Sequence, residues 1–501
     1  MFNLSRLFGA RASHIAAIDL GSNSFHMIIA RWEDDQVTLL DKLREPVRLG
    51  WGLTEDGRLD EDVRDRALAC LERFGERLRD YPSRRVRIVG TKTLRSIRDS
   101  RDFLSEAQSR LGHPVEIISG EEEARLVYLG VAHCIAPGEG RRVVVDIGGG
   151  STEIILGQGM SPELKESLSM GCVALTKRFF LDGKVTDKLI KKARVACQQE
   201  VTPVVDEFTE RGWGEVLGAS GTVKAAAKVC GQNGWSDGGV TAEGLEKIIK
   251  AYRDHGKLDL NLKGLSSDRE PVFLGGVIIL ATLFESLRFK TMQAAEWALR
   301  EGLLYDLKGR LENRDIRQQS VDALAKRFHV NLAKAAAVEA TARSLVEQVA
   351  DGWKLEPEEA SKLLGWAARL YPVGLDISHS DYHKHSAYII ENVDLAGCSK
   401  AEQSQLAALA LAHRKRFPAK KFPMDNTELV HLAILLRLAV IFNRAQKKTE
   451  LPPMTFKAED KRLSLTIPGN WLEANPLTQA DLEGEAGYLK EIGYELTLAA
   501  A

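Results

Sequence analysis

Apolar residues come in short runs near the start of the chain. Ile15–Leu20 and Phe25–Ala30 are each separated by a tight turn, which predicts strand, turn, strand. Between Glu61 and Arg79 the spacing changes. Val63, Ala67, Leu68, Leu71, Phe74 and Leu78 recur at intervals that give a helix one apolar face. Arg85–Gly90 reads as a strand leading into a loop over Thr91–Arg98, and Val115–Ile118 as another strand. Ser119 and Glu122 have the spacing of a capping box, which opens a helix running to Cys134.

At Arg142 the opening pattern returns. Ala17-Ile18-Asp19-Leu20-Gly21-Ser22-Asn23-Ser24 is matched by Val144-Val145-Asp146-Ile147-Gly148-Gly149-Gly150-Ser151, with every pair 127 residues apart. A second apolar segment follows each turn, at Met27–Ala30 and Ile154–Gly157. A repeat of this length predicts two related lobes, not a solenoid. The second lobe runs to about Gly309 and includes the turn Gly218–Thr222 and an apolar helix after Pro271. Helical spacing then dominates, as in Val321–Phe328 and Leu332–Val349. The tail alternates at Leu463, Leu465 and Ile467 before a Pro468-Gly469 turn, the pattern of a small β element. The expected layout is an α/β lobe over 1–126, a second over 127–309, an all-α domain over 310–445 and a small α+β domain over 446–501.

With 501 residues the chain has room for about three or four domains. Its 69 Lys and Arg balance 70 Asp and Glu. That balance excludes a wholly basic nucleic-acid binder and an acidic tail protein, so no nucleic-acid partner is expected. The apolar run Val272–Phe284 is too short to span a bilayer, and no transmembrane segment is expected. Phe2, Leu4, Leu7 and Phe8, with Arg6 and Arg11, fit either a weak membrane-surface helix or a frayed end; the frayed end is favoured. The six cysteines are scattered without a CxxC pair, which suits buried thiols in a reducing cytosol; a cytoplasmic location is expected.

The two turns carry the chemistry. A turn of Gly and small hydroxyl residues exposes its backbone N–H groups, lets an anion approach closely and forms a nest for phosphate. One such hairpin is usually structural. Two copies, each preceded by Asp in the same register, point to a cleft holding one phosphate between Ser22, Asn23, Ser24 and Gly148, Gly149, Gly150, Ser151. Asp19 and Asp146 end apolar strands, where a lone carboxylate is costly; they suit Mg²⁺, or each caps its own turn. The metal reading is favoured for Asp146 and evenly balanced for Asp19. Glu153 takes the register of His26 and is either a solvated strand residue or the second acid of the site, the latter being favoured. Glu123 lies in line with Val127, Gly130, Val131 and Cys134, the inward stripe of its helix. It either orients a water or complements the helix dipole with Glu121 and Glu122. Arg95 suits bidentate phosphate contact, although a lone Arg is most often a surface residue. The patterns GxxxxGK[ST], GxGxxG and HExxH are absent from the sequence, which removes support for a P-loop enzyme, a typical dinucleotide-binding domain and a zincin.

These segments resemble the exopolyphosphatase / guanosine pentaphosphate phosphohydrolase (Ppx/GppA) family, whose members belong to the actin, sugar-kinase and DnaK-type (ASKHA, ribonuclease H-like) superfamily. The resemblance is carried by Ala17–Met27, Thr91–Arg95, Ile118–Leu126, Val145–Glu153, Gly171-Cys172-Val173, Gly218–Thr222 and Ala298–Gly302. It implies that Glu123 is the catalytic glutamate acting on the attacking water and that Glu153 is a second catalytic acid. It implies that Asp146, with Asp19, binds Mg²⁺. Asn23, Ser24, Arg95, Gly148, Gly149 and Ser151 match phosphate-holding positions, and Ser22, Gly150, Ser220, Gly221 and Thr222 are counted with them. The implied reaction is hydrolysis of a terminal phosphoanhydride, a reaction that needs positioning and charge more than covalent chemistry. The resemblance also implies a homodimer; stimulation by K⁺ is a further expectation. One departure is Glu296-Trp297 before Ala298, where relatives often have Gly-Gly; the bulky Trp is expected to reshape that part of the cleft wall.

The helical domain resembles the HD-type phosphohydrolase fold, but Tyr371-Pro372 stands where the metal-binding His-Asp pair would be. His379, His383, His385 and His413 therefore read as packing, hydrogen-bonding or phosphate-contacting residues, not as a second active site. His383, Lys384, His385, Arg414, Lys415, Lys420 and Lys421 are candidates for a track guiding a polyanion, although charge runs are usually solvated faces. The leading reading is an exopolyphosphatase acting on inorganic polyphosphate. The close alternative is hydrolysis of guanosine 5′-triphosphate 3′-diphosphate (pppGpp), or both activities. A superfamily kinase, an ATP-driven chaperone or a silent scaffold fits the acids less well.

Overall fold

The computed structural model describes residues 14–33, 36–54, 56–98, 100–135, 140–236, 238–312, 315–444 and 451–500. The segment weighed as a membrane-surface helix lies outside them. The chain divides into two compact units, Met1–Asp315 and Ile316–Ala501.

The first unit contains two sheets of one design. In the first, β1 (His14–Leu20), β2 (Phe25–Glu33) and β3 (Gln36–Glu45) form an antiparallel meander; β4 (Val86–Gly90) and β5 (Glu116–Ile117) extend it in parallel from β1, giving the order β3-β2-β1-β4-β5. The second repeats the meander with β6 (Arg141–Ile147), β7 (Thr152–Gln158) and β8 (Ser161–Leu168). Here β9 (Glu215–Gly218) and β11 (Thr291–Ala294) run parallel to β6, and β10 (Val240–Thr241) closes the edge. The sequence repeat is thus a structural one: Asp19 pairs with His26 across the first hairpin as Asp146 pairs with Glu153 across the second.

Period-two side-chain alternation splits the core into layers. Ala16, Ile18 and Leu20 face an outer core with the helix Glu61–Leu78, whereas Ile15 and Ala17 face a central core. In the second lobe Val143, Val145 and Ile147 face outward and Val144 inward. The central core joins both sheets through the helices Gly120–Cys134 and Leu299–Leu311. These helices cross in backbone contact. A Cβ on Gly130 would lie 2.0 Å from the Ala298 carbonyl oxygen, and one on Gly302 would lie 1.9 Å from that of Leu126.

The helix Gly120–Cys134 crosses the 126/127 boundary expected from sequence, so that division cuts an element that both lobes share. Ser119 caps it by accepting a hydrogen bond from the Glu122 N–H, while the Glu122 carboxylate takes two bonds from Arg125. The expected loop Thr91–Arg98 contains a short helix, Lys92–Ser96. The apolar run Val272–Phe284 is the middle of a longer helix, Glu270–Leu287, begun by Pro271 and ended by Arg288 in the left-handed region. Among the described residues it is the one helix long and apolar enough to cross a membrane, and most of it is buried in the second lobe's core.

The second unit begins at Ile316, close to the expected 310. Its helices include Ile316–Arg327, Leu332–Trp353, Pro357–Leu370, Tyr382–Asn392, Lys400–Ala412 and Thr427–Phe442. A three-stranded sheet follows, β12 (Thr455–Glu459), β13 (Arg462–Ile467) and β14 (Glu495–Ala500), ordered as numbered. The division at 445/446 does not separate cores: Phe456, Leu463, Leu465 and Ile467 share one apolar cluster with the helices.

A buried ion cluster ties the central helices to β4. Asp306 accepts from Arg87, Arg125 and Arg310, and Arg125 also forks onto Glu122 at 2.7 and 2.8 Å. Burial pushes the Asp306 carboxyl up, but Arg87, Arg125 and Arg310 outweigh it and hold the group well below the usual carboxylate range. Asp306→Asn removes the carboxylate that Arg87, Arg125 and Arg310 share, leaving Arg87 with Glu116 and Arg125 with Glu122, and is expected to cost about 2–3 kcal/mol of stability. A depressed carboxyl stabilises the fold above its unfolded pKa, so the loss should hold from neutral pH down to about 4. Urea unfolding of the two proteins at pH 7 and pH 5 checks this; equal stabilities would show that the cluster contributes nothing.

Candidate functional site

The two hairpin turns face one another across a cleft of about 330 Å³. Their approach depends on glycine. A Cβ on Gly149 would lie 2.7 Å from the Ser22 Cβ, and one on Gly171 would lie 2.4 Å from the Gly149 backbone. The second turn is held by Gly148 N–H to the Ser151 carbonyl (2.9 Å) and by the Cys172 and Val173 N–H groups to the Gly148 and Gly149 carbonyls (2.9 and 3.0 Å). This explains the Gly171-Cys172-Val173 motif. The first turn is held by Gly50 and Arg48 N–H donating to the Ser22 and Asn23 carbonyls (2.7 and 2.8 Å). Lys177, from the second lobe, donates to the carbonyls of Gly50, Trp51 and Leu53, tying the lobes together beside the cleft.

Asp19, Glu123, Asp146 and Glu153 all line this cleft, with Ser22, Asn23, Ser24, Gly148, Gly149, Gly150, Ser151, Ser220 and Gly221. Arg95 and Thr222 are not on its lining. Arg95 sits behind Glu123, donating at 3.3 Å from both terminal nitrogens to Glu123 Oε2 and at 2.5 Å to the Ile118 carbonyl. The contact it makes is with the glutamate, beside the lining on which the phosphate contact was expected. Thr222 is buried against Gly276. Trp297 also stays off the lining and packs on Tyr305, with ring centroids 5.9 Å apart, so the cleft wall is not reshaped by its bulk.

The four acids are strained electrostatically. Burial, with help from the Asp146 and Glu301 charges, pushes Asp19 up to about 7, although Arg300 opposes it. Burial raises Asp146 to about 6. Burial and the Asp146 charge raise Glu153 to about 7, opposed by hydrogen bonds from Ser167 and Ser151; the Ser167 hydroxyl donates to Glu153 Oε1 at 2.9 Å. Glu123 is raised well above its usual range by burial and by Glu153, against the pull of Arg95. Asp19 Oδ1 and Ser24 Oγ are buried without a hydrogen-bond partner. An orphaned carboxylate oxygen beside a second buried Asp fits a divalent cation. Among the described residues no three His, Cys, Asp or Glu side chains converge as a closed metal cage. Such an ion would keep waters and substrate oxygens as its other ligands, the habit of Mg²⁺.

The cleft also has a cationic end. Lys42, Arg44, Lys224, Arg269 and Arg300 line it. Arg44 pairs with Asp268 (2.6 Å), and Arg300 lies 2.9 Å from His26 Nδ1. Burial, then Arg300, lowers the His26 pKa well below the ordinary value, so His26 is a neutral acceptor. A Cβ on Gly221 would lie 1.8 Å from the Arg269 guanidinium, so this glycine makes room for that side chain. None of these five cations was singled out from sequence. Arg300 lies inside the quoted Ala298–Gly302 segment, and Lys42 and Arg44 share one face of β3 by period-two spacing, a pattern available in the sequence.

The proposed polyanion track lies in the second unit. Arg414 and Lys415 line a separate cavity there. His383 is buried, Lys384 is paired with Asp381, and Lys420 and Lys421 sit on an exposed turn; these three lysine positions and His383 and His385 do not line the cavity.

Comparison with known proteins agrees with this architecture. Residues 28–311 match the Ppx/GppA phosphatase family, and 316–486 match its domain III. A Vibrio cholerae protein named guanosine-5′-triphosphate,3′-diphosphate pyrophosphatase is 38% identical over 488 residues, 96% of this chain and 97% of its own. A protein of the same name from Photobacterium profundum is 37% identical over 486 residues, again 96% and 97%. Among solved structures, the Aquifex aeolicus Ppx/GppA family member matches 60% of this chain and 98% of its own at 26% identity and TM-score 0.50. A Cytophaga hutchinsonii exopolyphosphatase shares the fold over 59% of this chain and 98% of its own, at 23% identity and TM-score 0.53. With both units matched and relatives aligned nearly end to end, the chain belongs to the Ppx/GppA phosphatase family.

Proposed function

We propose that this phosphohydrolase removes the terminal 5′ phosphate of pppGpp, leaving guanosine 5′-diphosphate 3′-diphosphate and orthophosphate. The observation that carries this over the leading sequence reading, exopolyphosphatase, is the alignment of nearly the whole chain with relatives named for the pentaphosphate reaction. The Cytophaga neighbour named exopolyphosphatase contributes fold alone. Hydrolysis of inorganic polyphosphate is the second reading, favoured by the cationic end of the cleft, which suits any chain of phosphates.

The reacting phosphate sits between the turns, on the N–H groups of Gly148–Gly150 and the hydroxyls of Ser24 and Ser151. Glu123 takes the proton of a water whose oxygen attacks phosphorus, and the bond to the bridging oxygen breaks. Burial and the Glu153 charge raise the pKa of Glu123, which strengthens it as a proton acceptor once it is ionised. Arg95 fixes its orientation. Glu153, held by Ser167, is the second acid of the site. Lys42, Arg44, Lys224, Arg269 and Arg300 hold the phosphates that are not transferred. Asp146 and Asp19 would hold Mg²⁺, which supplies positive charge to the phosphate oxygens.

Glu123→Gln should lower phosphate release from pppGpp by about 10²–10⁴-fold, the usual contribution of a general base, without lowering the melting temperature. Side-by-side assays with pppGpp and long polyphosphate decide the substrate; a kcat/KM for polyphosphate above that for pppGpp would reverse the assignment. The raised acids also make a stability statement. A carboxyl whose folded pKa is raised favours folding below its unfolded pKa and loses that contribution as pH climbs through the folded value. In metal-free buffer the protein should therefore lose stability between about pH 4 and 7. Asp146→Asn should recover on the order of 1–3 kcal/mol at pH 7.5 in metal-free buffer while abolishing turnover. Thermal melts with and without Mg²⁺ measure both effects, and a variant no more stable than the parent would refute the account.

A further inference from the structure

The second unit contains a cavity of about 660 Å³, twice the volume of the catalytic cleft and within the range of small-molecule sites. Its lining has two unlike parts. Tyr371, Leu375, Tyr382, Val440, Ile441 and Tyr488 form an aromatic and aliphatic wall. Lys334, Arg414, Lys415 and Arg444 supply cations.

Most of the charge on this lining is already matched. Asp481 receives both its bonds from Arg444 at 2.6 Å, Glu485 is held by the buried Arg437, and Lys415 pairs with Asp381 at 2.6 Å. Among the described residues, Lys334 and Arg414 meet no carboxylate; Lys334 Nζ reaches the Arg444 carbonyl at 3.3 Å, and the Arg414 guanidinium stacks 4.7 Å from the Tyr382 ring centre. Among the described residues the cavity therefore keeps two cations without a carboxylate partner. Its floor is neutral. His413 Nδ1 lies 2.6 Å from the Ala410 carbonyl and so carries the proton. Nε2 then accepts from the Tyr382 hydroxyl at 3.0 Å. Burial pushes His413 down to about 3, which keeps it uncharged at physiological pH. The ring of Tyr371, whose centroid is 4.7 Å from that of His413, completes the floor.

We propose that this cavity is a second ligand site that takes a nucleotide, its base against the tyrosine and aliphatic wall and its phosphates on Lys334 and Arg414. A flat apolar wall beside an excess of positive charge fits a molecule with a planar ring at one end and phosphate at the other. A bare phosphate chain would use the cations and leave the wall wet. This assigns Arg414 a different ligand from the linear polyanion expected from sequence.

The test is photolabelling of the full chain, in metal-free buffer, with 8-azidoadenosine and 8-azidoguanosine 5′-diphosphates, followed by peptide mapping. Label from at least one probe should appear within 371–382, 440–444 or 482–490. It should fall at least tenfold in Arg414→Gln and in Lys334→Gln; Lys334 is partly exposed, so its loss tests the site without disturbing the core. The unlabelled diphosphate should displace the label at a concentration at least tenfold below that of inorganic tripolyphosphate. Label confined to residues 1–315 from both probes, or label unaffected by either substitution, would overturn the site. Displacement by tripolyphosphate as readily as by nucleotide would replace it with a phosphate track.

Discussion

Four carboxylic acids share one small cleft, where burial opposes the ionisation of each, and the rest of the first unit is organised around that conflict. Burial raises Asp19, Asp146, Glu153 and Glu123, and repulsion from neighbouring carboxylates adds to it at Asp19, Glu153 and Glu123. An apolar core would relieve such a conflict by losing the acids. Here they are held in place: Arg95 behind Glu123, Ser167 on Glu153, and two hairpins that end their strands in the same register. The site is thus poised to accept positive charge and to give up stability when that charge is withheld.

The lobes share a blueprint but divide the labour. The first hairpin pairs Asp19 with His26, which is neutral and sits against Arg300; the second pairs Asp146 with Glu153. At this one equivalent strand position the second lobe therefore carries an acid and the first a neutral imidazole, while both lobes contribute cations to the cleft, Lys42 and Arg44 from β3 and Lys224, Arg269 and Arg300 from the second lobe. Acids and cations thus line one cleft, a setting that suits the phosphoanhydride of the proposed reaction.

Much of this was legible before the structure, because the relevant information is local. The repeat at 127-residue spacing showed two lobes, and the Gly-rich turns with their Asp residues pointed to a shared anion site; in the structure all four acids meet there. What escaped depends on packing over long sequence separations. Arg269 reaches the cleft only because Gly221, 48 residues earlier, has no side chain. Arg95 reads as a phosphate ligand because its type suits phosphate; its pairing with Glu123, 28 residues on, is a contact that spacing does not reveal. The 126/127 boundary failed for a similar reason: a helix that begins beside the first lobe's β5 supplies the core under both sheets.

The crossing at Gly130 and Gly302 sets a mechanical limit. With carbonyl oxygens of Ala298 and Leu126 pressed where side chains would otherwise stand, the two helices have no soft cushion between them. Such a joint resists compression and sliding, while turning about the point of contact disturbs the fewest atoms. Glu123 and Arg300 both line the cleft from the N-terminal ends of these helices, so a crossing without slack fixes the separation of that acid from that cation.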